Sequence, residues 1–292
     1  MTPVSSEQSA VTPAGSPRGD DHIGTLLQAA GKLKPQDMER VLRLQKEQDL
    51  RFGEAAQRLG LVNADDIRTA LSRQFEYPTL PAANTKLGAE LIAAFDPYSR
   101  EAEALRSLRS ELLLRWFRDG RKTLAIGSVG SHEGASYLAA NLAVLFAQMG
   151  RNVLLIDANL RQPRQQAIFG LGNGLGLSDL LAERVATLQV EAVQPFSTLA
   201  VLTAGSPPPN PAELLARPTL GSLLARLEPG HDIILLDTAP AELAADYQVV
   251  AARAGGMLIS TRRNVSRLAP LAEMKDKISF TGAQVVGAVV LD

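Results

Sequence analysis

The sequence predicts an α/β protein, a doubly wound and mostly parallel sheet preceded by a small helical repeat domain. Two observations carry this. From residue 121 onward, short β-rich apolar runs alternate with helical stretches. Several runs are apolar throughout, as expected where both faces of a sheet are covered. Ahead of them lies a segment that repeats itself, HIGTLLQAAGKLKPQDMERVLRLQ at 22–45 against RFGEAAQRLGLVNADDIRTALSRQ at 51–74.

Residues 1–20 are rich in Ser, Pro, Gly and Ala and have little to bury, so they read as a disordered tail. The repeat domain is placed at 21–76. Each copy reads as a short helix, a glycine stop and a second helix. Gly31 and Gly60 suit the left-handed position after a helix, Pro35 a first helical turn and Asn63 an N-cap. Leu33, Met38, Val41 and Leu42 form the expected buried stripe, repeated by Val62, Ile67, Ala70 and Leu71. A Pro-punctuated linker is expected at 77–98, and 99–292 is the main domain. Its first helix carries Leu105, Leu108, Leu112 and Trp116 on one face, with Glu103, Arg106 and Arg109 on another, solvated one.

The expected strands are 122–128, 152–157, 199–205, 232–237, 255–261 and 283–291. In such sheets ligands bind at the carboxyl ends of the strands. Three of those ends carry chemistry. The first runs through a glycine-bearing turn, GSVGSHEGAS, into a helix, the layout of a phosphate-binding loop whose backbone N–H groups cradle anions. The second ends in Asp157, with Asn159 and Arg161 following, and the fourth ends in Asp237. A carboxylate after an apolar strand, with the loop's Ser136, is what a magnesium–phosphate site needs. Arg161, Arg164, Arg262 and Arg263 also follow strand ends and read as phosphate contacts, neighbour contacts or solvated charges.

Composition closes several alternatives. The chain has 292 residues, a net charge of −1 and no cysteine, which excludes disulfides and thiolate chemistry and offers no footprint for nucleic acid. His22, His132 and His231 form no zinc-ligand pair. No apolar run is long enough to span a membrane, so a cytoplasmic location is expected.

The region from about 95 to 292 resembles the bacterial tyrosine kinases of exopolysaccharide export, P-loop proteins related to the Mrp, MinD and ParA ATPases. The first motif is Ser128, Ser131, His132, Glu133, Gly134, Ala135 and Ser136, followed by Ala139-Ala140-Asn141-Leu142-Ala143. It resembles Ser-x-x-Pro-Gly-Glu-Gly-Lys-Ser followed by Ala-x-Asn-Leu-Ala. The second is Leu154-Leu155-Ile156-Asp157-Ala158-Asn159-Leu160-Arg161-Gln162-Pro163, and the third is Asp237-Thr238-Ala239-Pro240. Glu103, Arg106 and Arg109 resemble the family's oligomerisation helix. The resemblance implies ATP or ADP with magnesium held by Ser136, Asp157 and Asp237. It implies Asp157 and Asp237 as catalytic groups, and nucleotide contacts from Ser131 to Ser136, Asn159 and Arg161. It also implies a homo-oligomer and a transmembrane chain-length partner that brings the chain to the inner membrane.

Two departures shape the expected activity. Ala135 replaces the lysine that would reach the β- and γ-phosphates, and Asn159 replaces a carboxylate. A charge-assisted hydrogen bond contributes about 1.5–3 kcal/mol, so nucleotide affinity should fall about tenfold to a hundredfold. Turnover is expected to be weak or absent. Tyr77, Tyr98, Tyr137 and Tyr247 are scattered, so phosphorylation of a clustered tail is not expected. The readings are a kinase homologue in chain-length control, a non-catalytic pseudokinase adaptor, and a MinD/ParA-type positioning ATPase. The last is disfavoured by Gly130, where that group has a second lysine.

The repeat resembles the N-terminal domain of type II secretion and pilus-assembly ATPases, whose paired motifs bind cyclic di-GMP. The matching positions are His22, Gly24 and Gln45 in one copy and Arg51, Gly53 and Gln74 in the other. The first copy has His22-Ile23-Gly24 where the motif has Arg-Leu-Gly, which removes one phosphate contact.

Overall fold

The computed structural model describes residues 19–67, 70, 85–185 and 190–292, with the backbone alone for 19–22 and 191. The expected tail, Leu71, Gln74 and the first part of the expected linker lie outside the described residues. Two compact units divide at Tyr77 and Pro78.

In the first unit, α1 (Gly19–Ala29), α2 (Pro35–Gln48) and α3 (Phe52–Arg58) enclose Leu27, Val41, Phe52, Ala55 and Val62. Gly31 and Gly60 adopt φ +69° and +65°, which a Cβ would strain. Pro35 opens α2. Asn63 and Asp66 bond reciprocally, Asp66 N–H to Asn63 Oδ1 at 2.8 Å and Asn63 N–H to Asp66 Oδ2 at 3.1 Å, which caps the turn that follows. Leu42, expected in the buried stripe, is 38% exposed, because Val41 holds the inward position of α2. The repeated glycines sit at tight contacts. A Cβ on Gly24 would come within 2.9 Å of Met38 Cε, and one on Gly53 within 3.2 Å of Ile67 Cδ1.

The second unit opens with α4 (Ile92–Phe95) and α5 (Arg100–Arg115). Residues near 91–95 are not linker-like: Leu91, Ala93 and Ala94 are wholly buried in the sheet's core. Asn141 explains this. Its Oδ1 accepts the Ala93 N–H at 3.0 Å, and its Nδ2 donates to the carbonyls of Glu90 and Tyr137. Leu105, Leu112 and Trp116 bury the expected apolar face of α5.

The strands are β1 (Thr123–Ser128), β2 (Val153–Asp157), β3 (Glu191–Ala192), β4 (Leu199–Leu202), β5 (Ile233–Asp237), β6 (Gly256–Arg262) and β7 (Gln284–Leu291). They form one sheet in the order β3-β4-β2-β5-β1-β6-β7, parallel except for β3, which pairs antiparallel with β4. The two-residue β3 escaped the sequence reading, being too short to show a pattern. The helices α6 (Ala135–Ala147), α7 (Gln165–Ile168), α8 (Leu177–Leu181), α9 (Pro211–Ala216), α10 (Pro218–Leu227), α11 (Asp246–Ala254) and α12 (Leu268–Phe280) complete the unit. β1, β2 and β5 are buried along their whole length, and separate apolar cores lie on the two faces of the sheet. β6 and β7 change register between Met257 and Leu258, so that Met257 faces Val285 but Leu258 faces Gly287.

Candidate functional site

β1 and β5 are adjacent, as are β5 and β2, so their carboxyl ends gather Ser128, Asp237 and Asp157 at one edge of the sheet. Asp157 and Asp237 are direct register partners. From β1 the chain turns through 129–134 and enters α6. Gly134 stands before the helix at φ 80°, where glycine alone is unstrained. A Cβ there would come within 2.5 Å of Leu291 Cδ1, so the end of β7 rests on the loop. A cavity of about 350 Å³ opens over this turn, lined among others by Ser131, His132, Gly134, Ala135, Ser136 and Asn159.

The N–H groups of the first turn of a helix have no partner inside it. Here that turn is Ala135, Ser136 and Tyr137, all three of which line the cavity. The N–H groups of Val129, Gly130 and Ser131 are occupied. Glu133 is 4% exposed and accepts from the N–H groups of Val129 and Gly130 at 3.0 and 3.1 Å and from the Ser266 hydroxyl at 2.6 Å. Glu133 therefore shapes the loop; it does not line the cavity, contrary to its expected place among the nucleotide contacts. Ser131 gives both its N–H and its hydroxyl to Glu242, from the loop after β5.

Asp157 is wholly buried and accepts three N–H groups, from Asn159, Arg164 and Gln165, at 3.1, 2.9 and 2.9 Å. Burial pushes its carboxyl above the ordinary carboxylate range; the Asp237 charge pushes the same way and the three N–H donors oppose it. Burial also raises Asp237, against the side chains of Gln165 and Ser136. Asp237 Oδ2 accepts from Gln165 Nε2 at 2.7 Å, while Oδ1 is buried with no hydrogen-bond partner. An orphaned carboxylate oxygen beside a serine hydroxyl is a fitting donor pair for a hard cation. Ser136 and Asp237 would hold magnesium directly. Asp157, with its lone pairs engaged by backbone N–H groups, would act from one shell further out.

The remaining predicted residues divide. Asn159 lines the cavity and caps its own turn, accepting the Gln162 N–H at 3.0 Å. His132 lies exposed on the rim. Arg161 is drawn away from the expected phosphate contact by a two-pronged bond to the buried Asp246, at 2.7 and 3.1 Å. Arg106 pairs with Glu103 at 2.6 Å on its own helix. Arg109 is not on the solvated face: it is 9% exposed and reaches the Leu145 carbonyl at 3.3 Å. In the helical unit, Gly24 and Gly53 serve packing, Arg51 is exposed, and the His22 and Gln74 side chains lie outside the described residues.

Sequence reasoning missed Gln165 and Glu242, which belong to no spacing motif, and did not single out Arg262 from the other arginines. Arg262 lines the cavity beside Leu291 and, among the described residues, has no ion pair. Arg164 also lines it, but is bound to Glu90 at 3.0 Å.

A parallel sheet whose first strand turns through a glycine loop into a helix, with carboxylates on the two neighbouring strand ends, defines a P-loop α/β protein. No family model matches the chain. It is 32% identical over 206 residues to the tyrosine-protein kinase YwqD of Bacillus subtilis, covering 70% of this chain and 87% of that protein. It is 30% identical over 202 residues to the tyrosine-protein kinase wzc of Salmonella typhi, covering 69% of this chain but 28% of that protein. The solved kinase domain of the Escherichia coli tyrosine kinase ETK superposes with a TM-score of 0.67 at 27% identity, over 74% of this chain and 84% of that domain. The chain belongs to the bacterial tyrosine kinase family of exopolysaccharide systems that its motifs resemble.

Proposed function

We propose that the second unit binds a magnesium nucleotide weakly, turns it over negligibly, and acts in exopolysaccharide chain-length control through binding. The observation that carries this is the pairing of an intact cradle with a missing cation. The α6 N-terminus, Ser136 and the free oxygen of Asp237 are in place, while Ala135 supplies no charge. Donors aimed at transition-state charge are worth about 10²–10³ in rate, and this loop lacks its strongest one. When bound, magnesium would neutralise charge on the phosphates; the loop N–H groups orient them, and Arg262, which has no ion pair among the described residues, adds a cation at the rim.

Calorimetric titration with Mg-ADP beside a phosphate-release assay tests the reading. Measurable binding with no turnover above background is expected; ordinary turnover abolished by Asp157→Ala would overturn it.

The chain spans 28% of the Salmonella kinase, and no helix among the described residues is long and apolar enough to cross a membrane. On this reading it docks on a separate transmembrane chain-length protein, with the helical unit as an adaptor. The cyclic di-GMP reading of that unit has one direct test: titration of the full chain with cyclic di-GMP, repeated on Arg51→Ala. Binding lost in that variant would support a sensor; no binding in the parent chain would leave the adaptor alone.

A further inference from the structure

The phosphate loop is divided in two. After β5, residues 238–242 run alongside its first half. Thr238 N–H bonds to the Ile126 carbonyl at 3.0 Å, Ala241 N–H to Ser128 and Glu242 N–H to Val129, both at 2.9 Å. This backbone zipper delivers the Glu242 carboxylate to Ser131, whose N–H it accepts at 2.6 Å and whose hydroxyl it also accepts. Glu133 takes the N–H groups of Val129 and Gly130. The N–H groups of Val129, Gly130 and Ser131 are thus committed to carboxylates of this chain, and the α6 first turn keeps its anion-binding capacity.

A diphosphate needs only that turn and Ser136. A third phosphoryl group that extends from that turn along the loop toward Ser131 approaches the Glu242 carboxylate, with no lysine at position 135 to offset it. Each added phosphate charge there meets negative charge that is fixed by hydrogen bonds. We propose that Glu242 makes this site select nucleoside diphosphates over triphosphates, an inference that rests on the nucleotide-binding reading above. Glu242 is exposed, so it acts through charge at the rim and not by filling the cavity. Position 131 is where the family motif that the loop resembles has proline, which has no N–H to give; here the serine supplies the donor that holds Glu242.

The test is calorimetric titration of the full chain with ADP and with ATP, each with magnesium, repeated on Glu242→Gln and at high salt. The parent chain should bind ADP roughly fourfold or more tighter than ATP, the effect of one like charge about 5 Å away in a water-like medium. Glu242→Gln keeps an acceptor for Ser131 but removes the charge, so ATP should gain affinity while ADP changes little. In the parent chain, raising salt should narrow the same gap without any substitution. ATP binding as tight as ADP in the parent chain, or equal shifts of both nucleotides in Glu242→Gln, would overturn the selectivity and leave nucleotide binding standing. No binding of either nucleotide would remove both.

Discussion

The two units use glycine and polar residues in opposite ways. In the helical unit the repeated glycines serve turns and tight helix contacts, and the polar pairs lie on the surface: Lys32 with Asp66, Arg40 with Asp37. In the sheet unit, carboxylates are wholly buried, one carboxylate oxygen has no partner, and a glycine holds open the floor of a cavity. Burying a charge without a counter-ion costs stability unless something outside the chain completes it. The difference teaches where to look for a ligand: the sheet unit carries unmet electrostatic demand at its strand ends, and among its described residues the helical unit meets its own.

Substitutions can break or sharpen that contrast. The largest expected effect is at Asn141, which serves structure inside the sheet unit. Asn141→Leu strands the buried Ala93 N–H and removes the side-chain bonds to the Glu90 and Tyr137 carbonyls, and should destabilise by about 3 kcal/mol in denaturant unfolding. Next comes Ala135→Lys, which restores the missing cation. It should raise Mg-ATP affinity about tenfold to a hundredfold by calorimetry, with little change in unfolding without nucleotide.

Asp237→Asn should expose the cost of the unmet charge. The folded-state pKa of Asp237 lies above its ordinary value of 3.8, so its contribution to stability is fully present below that value. It is lost as pH rises through the raised value. Melting temperatures of the magnesium-free parent chain should therefore fall as pH rises from 3.8 to about 6, and Asp237→Asn should flatten that slope. In the helical unit, Gly53→Ala should cost about 1–2 kcal/mol by crowding Ile67. The smallest effect belongs to Asp66. The Asn63 hydrogen bond, with Lys32, holds its carboxyl below the ordinary range, so its contribution is present above that range and lost as pH falls through the lowered value. Asp66→Asn should remove less than about 1 kcal/mol near neutral pH, since the pair is solvent-screened.

Much of this was legible in the residues. The six longer strands, the left-handed glycines, the Asn63 cap and the meeting of Ser136, Asp157 and Asp237 all follow from local pattern and sheet topology. What was not legible depends on contacts across the chain. Residues 91–94 look like linker because Pro and Ala surround them, yet Asn141 pins them to α6. Arg161 and Arg164 are both strand-end arginines in sequence; only the fold shows that Asp246 claims the first while the second lines the cavity. Glu133 stands inside the motif and faces away from the cavity. Glu242 stands outside every motif and reaches the loop through backbone pairing that no spacing announces.

The extra residue in β7 has a mechanical consequence. Because Val286 has no place in the pairing, Arg262 faces Leu291; without that slip it would face Val290. Neighbouring strand residues point to opposite faces, so a one-residue correction would swing Leu291 off Gly134 and put a different side chain over the loop. The irregularity near the far end of the last strand thus works as a vernier, setting the roof of the phosphate cradle five residues away.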